Sequence, residues 1–456
     1  MALVGIVHLG LGAFARAHLL PATAAAMAAS GESHWGVLGV SLRHAEVRDA
    51  LVPHGFEYTL ALRDADASGQ PRERRETIRC LLGVLVAPED PRAVLEAIAA
   101  PATRIVSLTV TEKGYLPDPA DLARPEAPRS TLGFIVHGLA LRRARGLAPV
   151  TLLSCDNLAS NGRTLRGRVL ALAAELDAAL AEWIARECTF PNSMVDRIVP
   201  RNDDLAVVSA EPFFDWAVED RFAAGRPDWS AYGARFVAHA EPYELLKLRM
   251  VNGSHSAIAY LGVMAGWATV DRAIGEPALR RFVEALMREE IEPTLAGRAG
   301  ILEDADLAAY RARLIERFAN PALAHRTRQI AMDGSQKLPQ RLLGTVRDRL
   351  AAGAPLVHLP LAVAAWIRYA SGSDERGGRI EVQDPLAASF ASIVAGAGGA
   401  PSAIADGFLD LAPVFGDLVA HAAFRSAVRA GVVDLFRDGA AATVQRHLAA
   451  APAPLN

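Results

Sequence analysis

The chain has 456 residues, of which 51% are hydrophobic and 22% are charged, and its formal net charge is −3. This composition excludes a disordered chain, which combines low hydrophobicity with high net charge, and the near-neutral charge argues against general nucleic-acid binding. No apolar run reaches the roughly 18 residues that a membrane-spanning helix requires.

The N-terminal half alternates strand patterns with helical patterns. Four strands are predicted, at residues 4–9, 35–42, 104–110 and 149–154. The first of them lacks a preceding basic region, so we interpret it as a strand and not as a signal peptide. Such alternation is typical of a doubly wound parallel sheet, and hence of the α/β class. From Glu241 onward helical spacing dominates, which predicts a sheet domain over 1–239 and a mostly α-helical C-terminal domain over 240–456.

The turn after the first strand carries part of a dinucleotide-binding fingerprint. Gly10-x-Gly12 follows an apolar strand and precedes a helical pattern, so the backbone can approach a pyrophosphate closely. The third glycine of the fingerprint is replaced by Ala15, and an ordinary strand-to-helix turn is the alternative interpretation. We assign Gly10, Gly12, Phe14 and Arg16 as candidate cofactor contacts of a Rossmann-type domain.

The residues after the second strand do not decide between NAD and NADP. An acidic side chain there would bind the ribose 2′-hydroxyl of NAD, whereas an arginine can bind the 2′-phosphate of NADP. Ser41 and Arg43 occupy these positions without an acid between them, and Arg43 can equally be a solvated surface residue. Glu112, in the polar stretch that ends the third strand, is a further candidate cofactor contact.

One helical segment concentrates the residues that fit acid/base chemistry. In an α-helix, Lys247, Asn252 and His255 lie within an arc of roughly 140°, with Cα atoms spanning about 12 Å. Glu244 precedes Lys247 by three residues and can exchange a proton with it. Asn252-Gly253 is also a turn signal. The alternative is a helix edge with a salt pair and a capping asparagine.

Two more polar stretches follow apolar segments. Asn157 comes directly after the fourth strand, at the edge where open α/β sheets bind ligands, although it can also act as a helix cap. Asp196 lies in a Val-Asp-Arg string, and its alternative interpretation is a surface ion pair with Arg197.

Cysteine and histidine usage argues against a metal site. Cys80, Cys155 and Cys188 have no CxxC spacing, so neither a disulfide framework nor a structural zinc site is expected. His8 and His18 have no partner at metal-ligand spacing. We therefore expect a cytoplasmic protein without a bound metal.

Five strings together resemble the long-chain mannitol dehydrogenase family of polyol and hexuronate oxidoreductases. The resemblance covers nearly the whole chain, and the Val-Asp-Arg-Ile-x-Pro and Lys-x4-Asn-x2-His strings are the most specific. The strings are Val7–Phe14 with Arg16–His18, Ser107–Tyr115, Phe190–Pro200, Lys247–Ser256 and Ile330–Pro339.

The resemblance implies a Rossmann-type domain, a helical substrate domain and metal-independent hydride transfer with NAD(P). Lys247 matches the general acid/base of the family, and Glu244 matches its proton-relay carboxylate. The other matched positions contact the reacting oxygen or the substrate: Asn157, Asn252, His255, Asp196, Arg368 and Arg376.

For the substrate, the leading expectation is the pair D-fructuronate and D-mannonate, because Arg368, Arg376 and the loop at Glu112 supply cations or polar groups for a carboxylate. Mannitol 2-dehydrogenase or another polyol dehydrogenase is the alternative. A non-catalytic cofactor-binding protein is a remote alternative, suggested only by Ala15 and Leu19, which replace polar residues usual in the family. A monomer is compatible with a chain of this core size.

Overall fold

The computed structural model describes residues 3–66, 70–200, 202–297 and 304–450. The chain divides into two compact units, Met1–Glu244 and Leu245–Asn456. Sequence patterns put the domain boundary between residues 239 and 240, so the first unit also includes the short segment that ends at Glu244.

The first unit contains the strands and a set of short and medium helices. Its strands are β1 (Val4–Leu9), β2 (Gly36–Ser41), β3 (Tyr58–Ala65), β4 (Pro71–Ile78), β5 (Leu81–Val86), β6 (Ile105–Leu108), β7 (Thr151–Ser154), β8 (Ser193–Asp196), β9 (Val207–Ala210), β10 (Asp215–Glu219) and β11 (Arg235–Val237). Its helices are α1 (Ala13–Ala17), α2 (Leu19–Ser30), α3 (Glu46–Leu51), α4 (Pro91–Ile98), α5 (Thr131–Ala144), α6 (Asn161–Leu176) and α7 (Ala178–Glu187).

A parallel sheet in the order β5-β2-β1-β6-β7 forms the centre of the first unit. The predicted doubly wound α/β fold is thereby confirmed. The sheet includes β5, which was not among the predicted strands. A short apolar run of this kind cannot be distinguished from a buried helical segment by periodicity alone.

Alternate residues of β1 pack into different hydrophobic clusters. Ile6 belongs to a cluster with Leu19 of α2, whereas Val7 belongs to a cluster with Ile135 of α5 and Val169 of α6. Since successive side chains of a strand point to opposite faces, both faces of the sheet are covered. This two-sided burial explains why β1 is apolar throughout and does not alternate with polar residues.

Two small sheets complete the first unit, and neither was predicted. The strand orders are β4-β3-β9 and β11-β10-β8. The residues of β4 are mostly exposed and charged, so this strand lacks the apolar signal by which a buried strand is recognised. Pairing with β3 along its full length, from Tyr58 opposite Ile78 to Ala65 opposite Pro71, stabilises it instead.

The second unit is helical, as predicted. Helix α8 (Glu241–Leu246) crosses the unit boundary, and α20 contains a kink at Gly439, whose φ is 77°. The other helices are α9 (Ser254–Met264), α10 (Val270–Gly275), α11 (Pro277–Ala285), α12 (Asp304–Phe318), α13 (Thr327–Ile330), α14 (Gly334–Leu338), α15 (Gly344–Ala351), α16 (Leu359–Ala370), α17 (Ala387–Gly396), α18 (Pro401–Leu409), α19 (Ala412–Phe415) and α20 (Ala422–Ala450).

Three segments of the second unit are π-helical, which means that backbone hydrogen bonds join residues five positions apart in the chain. They are Lys247–Gly253, Leu286–Ile291 and Pro339–Leu343. Within the described part of the chain, no helix has both the length and the apolar character that crossing a membrane requires.

Candidate functional site

The turn between β1 and α1 forms a cradle of exposed backbone. Gly10 has a φ of +85°, and a Cβ atom there would lie 2.3 Å from the Thr109 carbonyl oxygen, so only glycine fits. At Gly12 a Cβ atom would meet nothing closer than 3.9 Å, and the residue is exposed. The backbone here is therefore open to close approach by a pyrophosphate, as the fingerprint requires.

Arg16 stabilises this turn from the protein interior. Its side chain is 2% exposed, and its guanidinium donates to the backbone oxygens of Gly12, at 3.4 Å, and of Leu205. Burial lowers the pKa of Arg16. The sequence prediction of a direct cofactor contact needs correction for Arg16, because its donors are directed at backbone carbonyls. Phe14 stacks on the His18 ring, with centroids 5.0 Å apart.

The end of β2 carries no acidic side chain. Ser41 is buried at the last position of the strand and Arg43 is exposed two residues later. Among the described residues, no carboxylate lies within ion-pair distance of Arg43. The next arginine, Arg48, contacts both Asp49, at 2.8 Å, and Glu89. Ser41 and Arg43 therefore remain the candidates for contact with a 2′-hydroxyl or a 2′-phosphate.

A buried carboxylate that was not among the predicted site residues organises the loop after β6. Asp156 accepts hydrogen bonds from the backbone nitrogens of Val110 and Thr111, both at 2.9 Å, and from the Tyr115 hydroxyl at 2.9 Å. Burial raises the pKa of Asp156, and these hydrogen bonds oppose the shift. Thr111 has a φ of +63°, and this strained residue directly precedes Glu112, which is exposed. The sequence signal for Asp156 was its position beside Asn157 at a strand end.

Asn157 is exposed at the carboxyl end of β7, where the sequence predicts a substrate contact. Four residues later, the buried Asn161 amide donates to the carbonyl oxygens of Ser154, at 3.2 Å, and Ser193, at 2.8 Å. Its own oxygen accepts from Ser193 N at 2.9 Å. Asn161 therefore connects the ends of β7 and β8, which fixes the segment that presents Asn157.

Asp196 and Arg197 do not form a surface ion pair, because both side chains are buried, at 6% and 5% exposure. The Arg197 guanidinium donates instead to the backbone oxygens of Glu211, at 3.0 Å, and Ala17, at 2.7 Å. Asp196 is the last residue of β8. Its predicted substrate contact stays a proposal.

Glu244 has one engaged carboxylate oxygen and one without a partner. Its Oε2 accepts a hydrogen bond from Ser160 N at 2.9 Å. Its Oε1 is buried and has no hydrogen-bond partner among the described residues. Burial raises the pKa of Glu244, opposed by the Ser160 hydrogen bond. A carboxyl group in this environment holds its proton more readily than a solvated one.

The segment that carries Lys247 and Asn252 is π-helical and not α-helical. A π-helical turn, closed by i→i+5 hydrogen bonds, is wider than an α-helical turn, so residues five apart, such as Lys247 and Asn252, lie closer to one side of the helix than they do in an α-helix. The predicted α-helix would separate these two residues by about 140°. Gly253 does not end the helix, since its φ is −64°. Its Cβ position lies 2.7 Å from the Arg341 carbonyl oxygen, and glycine permits this close approach.

His255 follows on α9 and has one ring nitrogen without a partner. The ring stacks on Phe318, with centroids 5.1 Å apart, and meets His325 edge-on at 5.1 Å. Its Nε2 is buried and has no hydrogen-bond partner in the described part of the chain. The pKa of His255 is well below its usual value, first because of burial and then because of the positive charges of His325, Arg341, Arg317 and Lys337.

Two cations near this histidine were not among the predicted site residues. Arg341 donates from Nη1 to Ser256 Oγ at 3.1 Å, and burial lowers its pKa. Lys337 donates to the backbone oxygens of Ile330 and Met332. Lys337 lies in the string Ile330–Pro339 that supported the family resemblance, whereas Arg341 lies two residues beyond it, so the string was a sequence signal for Lys337 only.

Arg368, which the family resemblance predicts as a substrate contact, is held largely by the protein itself. The side chain is 4% exposed, and its guanidinium donates to the backbone oxygens of Ser373 and Asp374. It also stacks on the Phe436 ring at 4.1 Å. Its Nη1 and Nη2 therefore stabilise a turn, while its buried Nε has no hydrogen-bond partner among the described residues, and its substrate contact stays a proposal. Arg376 is exposed in the same turn, and its backbone nitrogen donates to Asp374 Oδ1 at 2.9 Å.

The histidines and cysteines offer no metal site in the residues that the structure describes, where no group of three suitable side chains occurs. Both ring nitrogens of His8 are hydrogen-bonded, to Ser107 Oγ and Thr109 Oγ1, each at 2.8 Å. The thiols of Cys80, Cys155 and Cys188 are free and buried, and burial raises their pKa, which disfavours reactive thiolates.

Comparison with known proteins identifies relatives along the whole chain. Two family models match it, the mannitol dehydrogenase Rossmann domain over residues 4–231 and the mannitol dehydrogenase C-terminal domain over residues 239–435. The D-mannonate oxidoreductase of Escherichia coli (strain K12) is 43% identical over 95% of this chain and 94% of its own. The mannitol 2-dehydrogenase of Pyricularia oryzae is 35% identical over 97% of this chain and 93% of its own.

A solved structure is similar over the same length. The Pseudomonas fluorescens mannitol 2-dehydrogenase, in a ternary complex with NAD and D-mannitol, matches with a TM-score of 0.85 and 33% identity, covering 99% of this chain and 95% of that chain. These matches confirm the resemblance inferred from the five strings. The chain belongs to the mannitol dehydrogenase family of NAD-dependent oxidoreductases, which act on secondary alcohols.

Proposed function

We propose that the chain interconverts D-fructuronate and D-mannonate with NAD, and that Lys247 is the general acid/base. The observation that carries this choice is the position of the Arg341 guanidinium, which donates to Ser256 Oγ at 3.1 Å, next to His255 in the chain. Besides burial and the neighbouring His325, the cations Arg341, Arg317 and Lys337 lower the pKa of His255. A sugar carboxylate gains charge-assisted hydrogen bonds from such side chains, whereas an uncharged polyol does not.

Arg341 is our candidate for the carboxylate contact. Its hydrogen bond to Ser256 places it beside the residue that directly follows His255. It replaces Arg368 and Arg376, which the sequence favoured for this contact. The similarity to a D-mannonate oxidoreductase at 43% identity supports the same substrate class.

The glycine cradle supports NAD as the cofactor, because Gly10 and Gly12 leave the backbone open to a pyrophosphate. When bound, NAD supplies or accepts the hydride. We propose that Phe14, Ser41 and Glu112 lie beside the bound NAD, and that Arg16 stabilises the turn between β1 and α1.

Lys247 is 9% exposed, so little water competes for its proton. In reduction its ammonium donates a proton to the ketone oxygen, and in oxidation its free amine accepts the hydroxyl proton. Asn252, on the same side of the π-helical segment, donates to this oxygen and stabilises developing negative charge by about 2–4 kcal/mol. The family resemblance gives Asn157 the same role.

Glu244 and His255 complete the proposed chemistry. The partner-free Oε1 of Glu244 and its raised pKa suit a carboxyl group that relays a proton to and from Lys247. Because its pKa is lowered, His255 is neutral at pH 7, and its Nε2 is available for a substrate hydroxyl. Asp196 is proposed as a further substrate contact.

The test is turnover of NADH, followed by nicotinamide absorbance, with D-fructuronate, D-tagaturonate, D-fructose and D-xylulose. We expect turnover of a uronate. We also expect Arg341→Met to raise KM for the uronate at least tenfold, which corresponds to losing one charge-assisted contact. Arg280→Met is the matched control, because Arg280 forms only an exposed pair with Glu284. Turnover of fructose alone, unaffected by Arg341→Met, contradicts the proposal.

D-fructose and D-mannitol form the second candidate pair. The similarity to mannitol 2-dehydrogenases, at 33–35% identity over nearly the whole chain, favours it. The same substrate panel separates the two candidates. A cytoplasmic location also remains a proposal, supported by three free thiols, and so does a monomeric state.

A further inference from the structure

A single guanidinium in the second unit connects the three π-helical segments. Arg249 lies in the middle of the first segment, Lys247–Gly253, between the two residues proposed to act on the reacting oxygen. Its side chain is 6% exposed. Its Nη1 donates to Thr294 Oγ1 at 2.7 Å and forms an ion pair with Asp348 Oδ2 at 2.7 Å.

The two partners of Arg249 follow the other two π-helical segments in the chain, Thr294 by three residues and Asp348 by five. Thr294 donates to the carbonyl oxygen of Ile291, the last residue of the second segment, at 2.7 Å. Asp348 lies on α15, which begins directly after the third segment, Pro339–Leu343. That third segment carries Arg341, the candidate carboxylate contact. The orientation of all three segments is therefore linked through Arg249.

A π-helical turn needs such an external constraint, because the α-helix is the regular state of a continuous helical chain and π-helical turns are rare. If the segment relaxed to α-helical geometry, Asn252 would move from the side of Lys247 to a position about 140° around the axis. The two side chains would then converge less closely on one oxygen atom. The helical geometry of this segment therefore decides how closely Lys247 and Asn252 converge on the same oxygen atom.

We propose that Arg249 is a positioning residue that holds Lys247–Gly253 in π-helical register through Thr294 and Asp348. This inference rests on the proposed role of Lys247 as the general acid/base. Arg249 acts through Lys247 and Asn252. Both acceptors are reached by the same nitrogen, Nη1, which the rigid guanidinium plane holds in position, whereas the shorter and more flexible lysine side chain does not place its ammonium there.

The experiment compares Arg249→Lys, Thr294→Val and Asp348→Asn with the control Arg280→Met. Turnover is normalised to the number of NADH-binding sites, measured by fluorescence titration, so that unfolded protein does not count. We expect Arg249→Lys to lower kcat per site about 100-fold, because a misplacement of Lys247 and Asn252 by about 1 Å costs about that factor in rate. KM should change less than threefold. The isotope effect on kcat with NADH deuterated at C4 should be at or above the wild-type value, because the transfer step becomes slower.

The isosteric Thr294→Val keeps the test decisive if Arg249→Lys does not fold, and we expect it to lower kcat per site about tenfold. A folded variant whose kcat per site stays within threefold of wild type overturns the inference. So does a lower isotope effect, since it means that a step other than transfer has slowed. Lys247→Ala separates the two proposals: if it retains turnover, the catalytic assignment fails, whereas an inactive Lys247→Ala with a fully active Arg249→Lys overturns only the positioning role.

Discussion

The close approach of Gly253 to the third π-helical segment gives a prediction whose size follows from a distance. A Cβ atom at Gly253 would lie 2.7 Å from the Arg341 carbonyl oxygen, whereas ordinary contacts begin at 3.4 Å. In Gly253→Ala the two segments must therefore separate by about 0.7 Å. The atom in the way belongs to the backbone, so a side-chain rotation cannot relieve the contact.

Overpacking of this kind costs about 1–3 kcal/mol of unfolding free energy. For a unit of about 200 residues, each kcal/mol lowers Tm by about 2–4 °C, so we expect Tm to fall by roughly 2–12 °C. Because the displaced segment carries Arg341, which is 3.1 Å from Ser256, we also expect KM for the uronate to rise. Differential scanning calorimetry and steady-state kinetics measure the two effects.

Gly275→Ala is the matched control. Gly275 is the last residue of α10, and a Cβ atom there would meet nothing within 4 Å. Alanine at this position should raise stability by about 0.4–1 kcal/mol, because it restricts the unfolded chain. If Gly253→Ala is as stable and as active as Gly275→Ala, the tight packing between the two π-helical segments is refuted.

Three further changes test other parts of the site. Lys247→Ala should lower kcat by at least 1,000-fold while NADH affinity stays within threefold; undiminished kcat removes this lysine from the mechanism. Glu244→Gln should raise Tm at pH 8 but not at pH 4. The pKa of Glu244 is raised by folding, so the ionised carboxylate destabilises the folded state once the pH exceeds the pKa of this residue in the unfolded chain. Equal changes in Tm at both pH values argue against a buried carboxylate. Arg43→Ala should lower kcat/KM for NADPH about tenfold and leave NADH unaffected; equal losses would place Arg43 away from the 2′ position.

The central sheet could be predicted because its signals are local. The apolar run of β1 followed by Gly10-x-Gly12 specifies a buried strand and a tight turn without reference to distant residues. The charged strand β4 carries no such signal, since only its pairing with β3 makes it a strand. The helical character of the second unit was likewise readable from its spacing.

The geometry of the catalytic segment could not be read from spacing. The types and order of Lys247, Asn252 and His255 indicate acid/base chemistry, and the sequence is compatible with a continuous helix. Whether that helix has 3.6 residues per turn or a wider turn depends on partners such as Thr294 and Asp348, which lie far away in the chain.

The sequence by itself determined the α/β class, the glycine turn after the first strand and the family, because short motifs and periodic patterns encode them, and it supplied the residues that we propose for the chemistry. Only the tertiary structure decided which acceptors each charged side chain reaches. Arg16 and Arg368 donate to backbone carbonyls of the protein itself, whereas Arg341 lies beside the helix of His255. The sequence shows where an arginine occurs but not which acceptors its guanidinium binds. Its role depends on the acceptors that folding brings within about 3 Å of it.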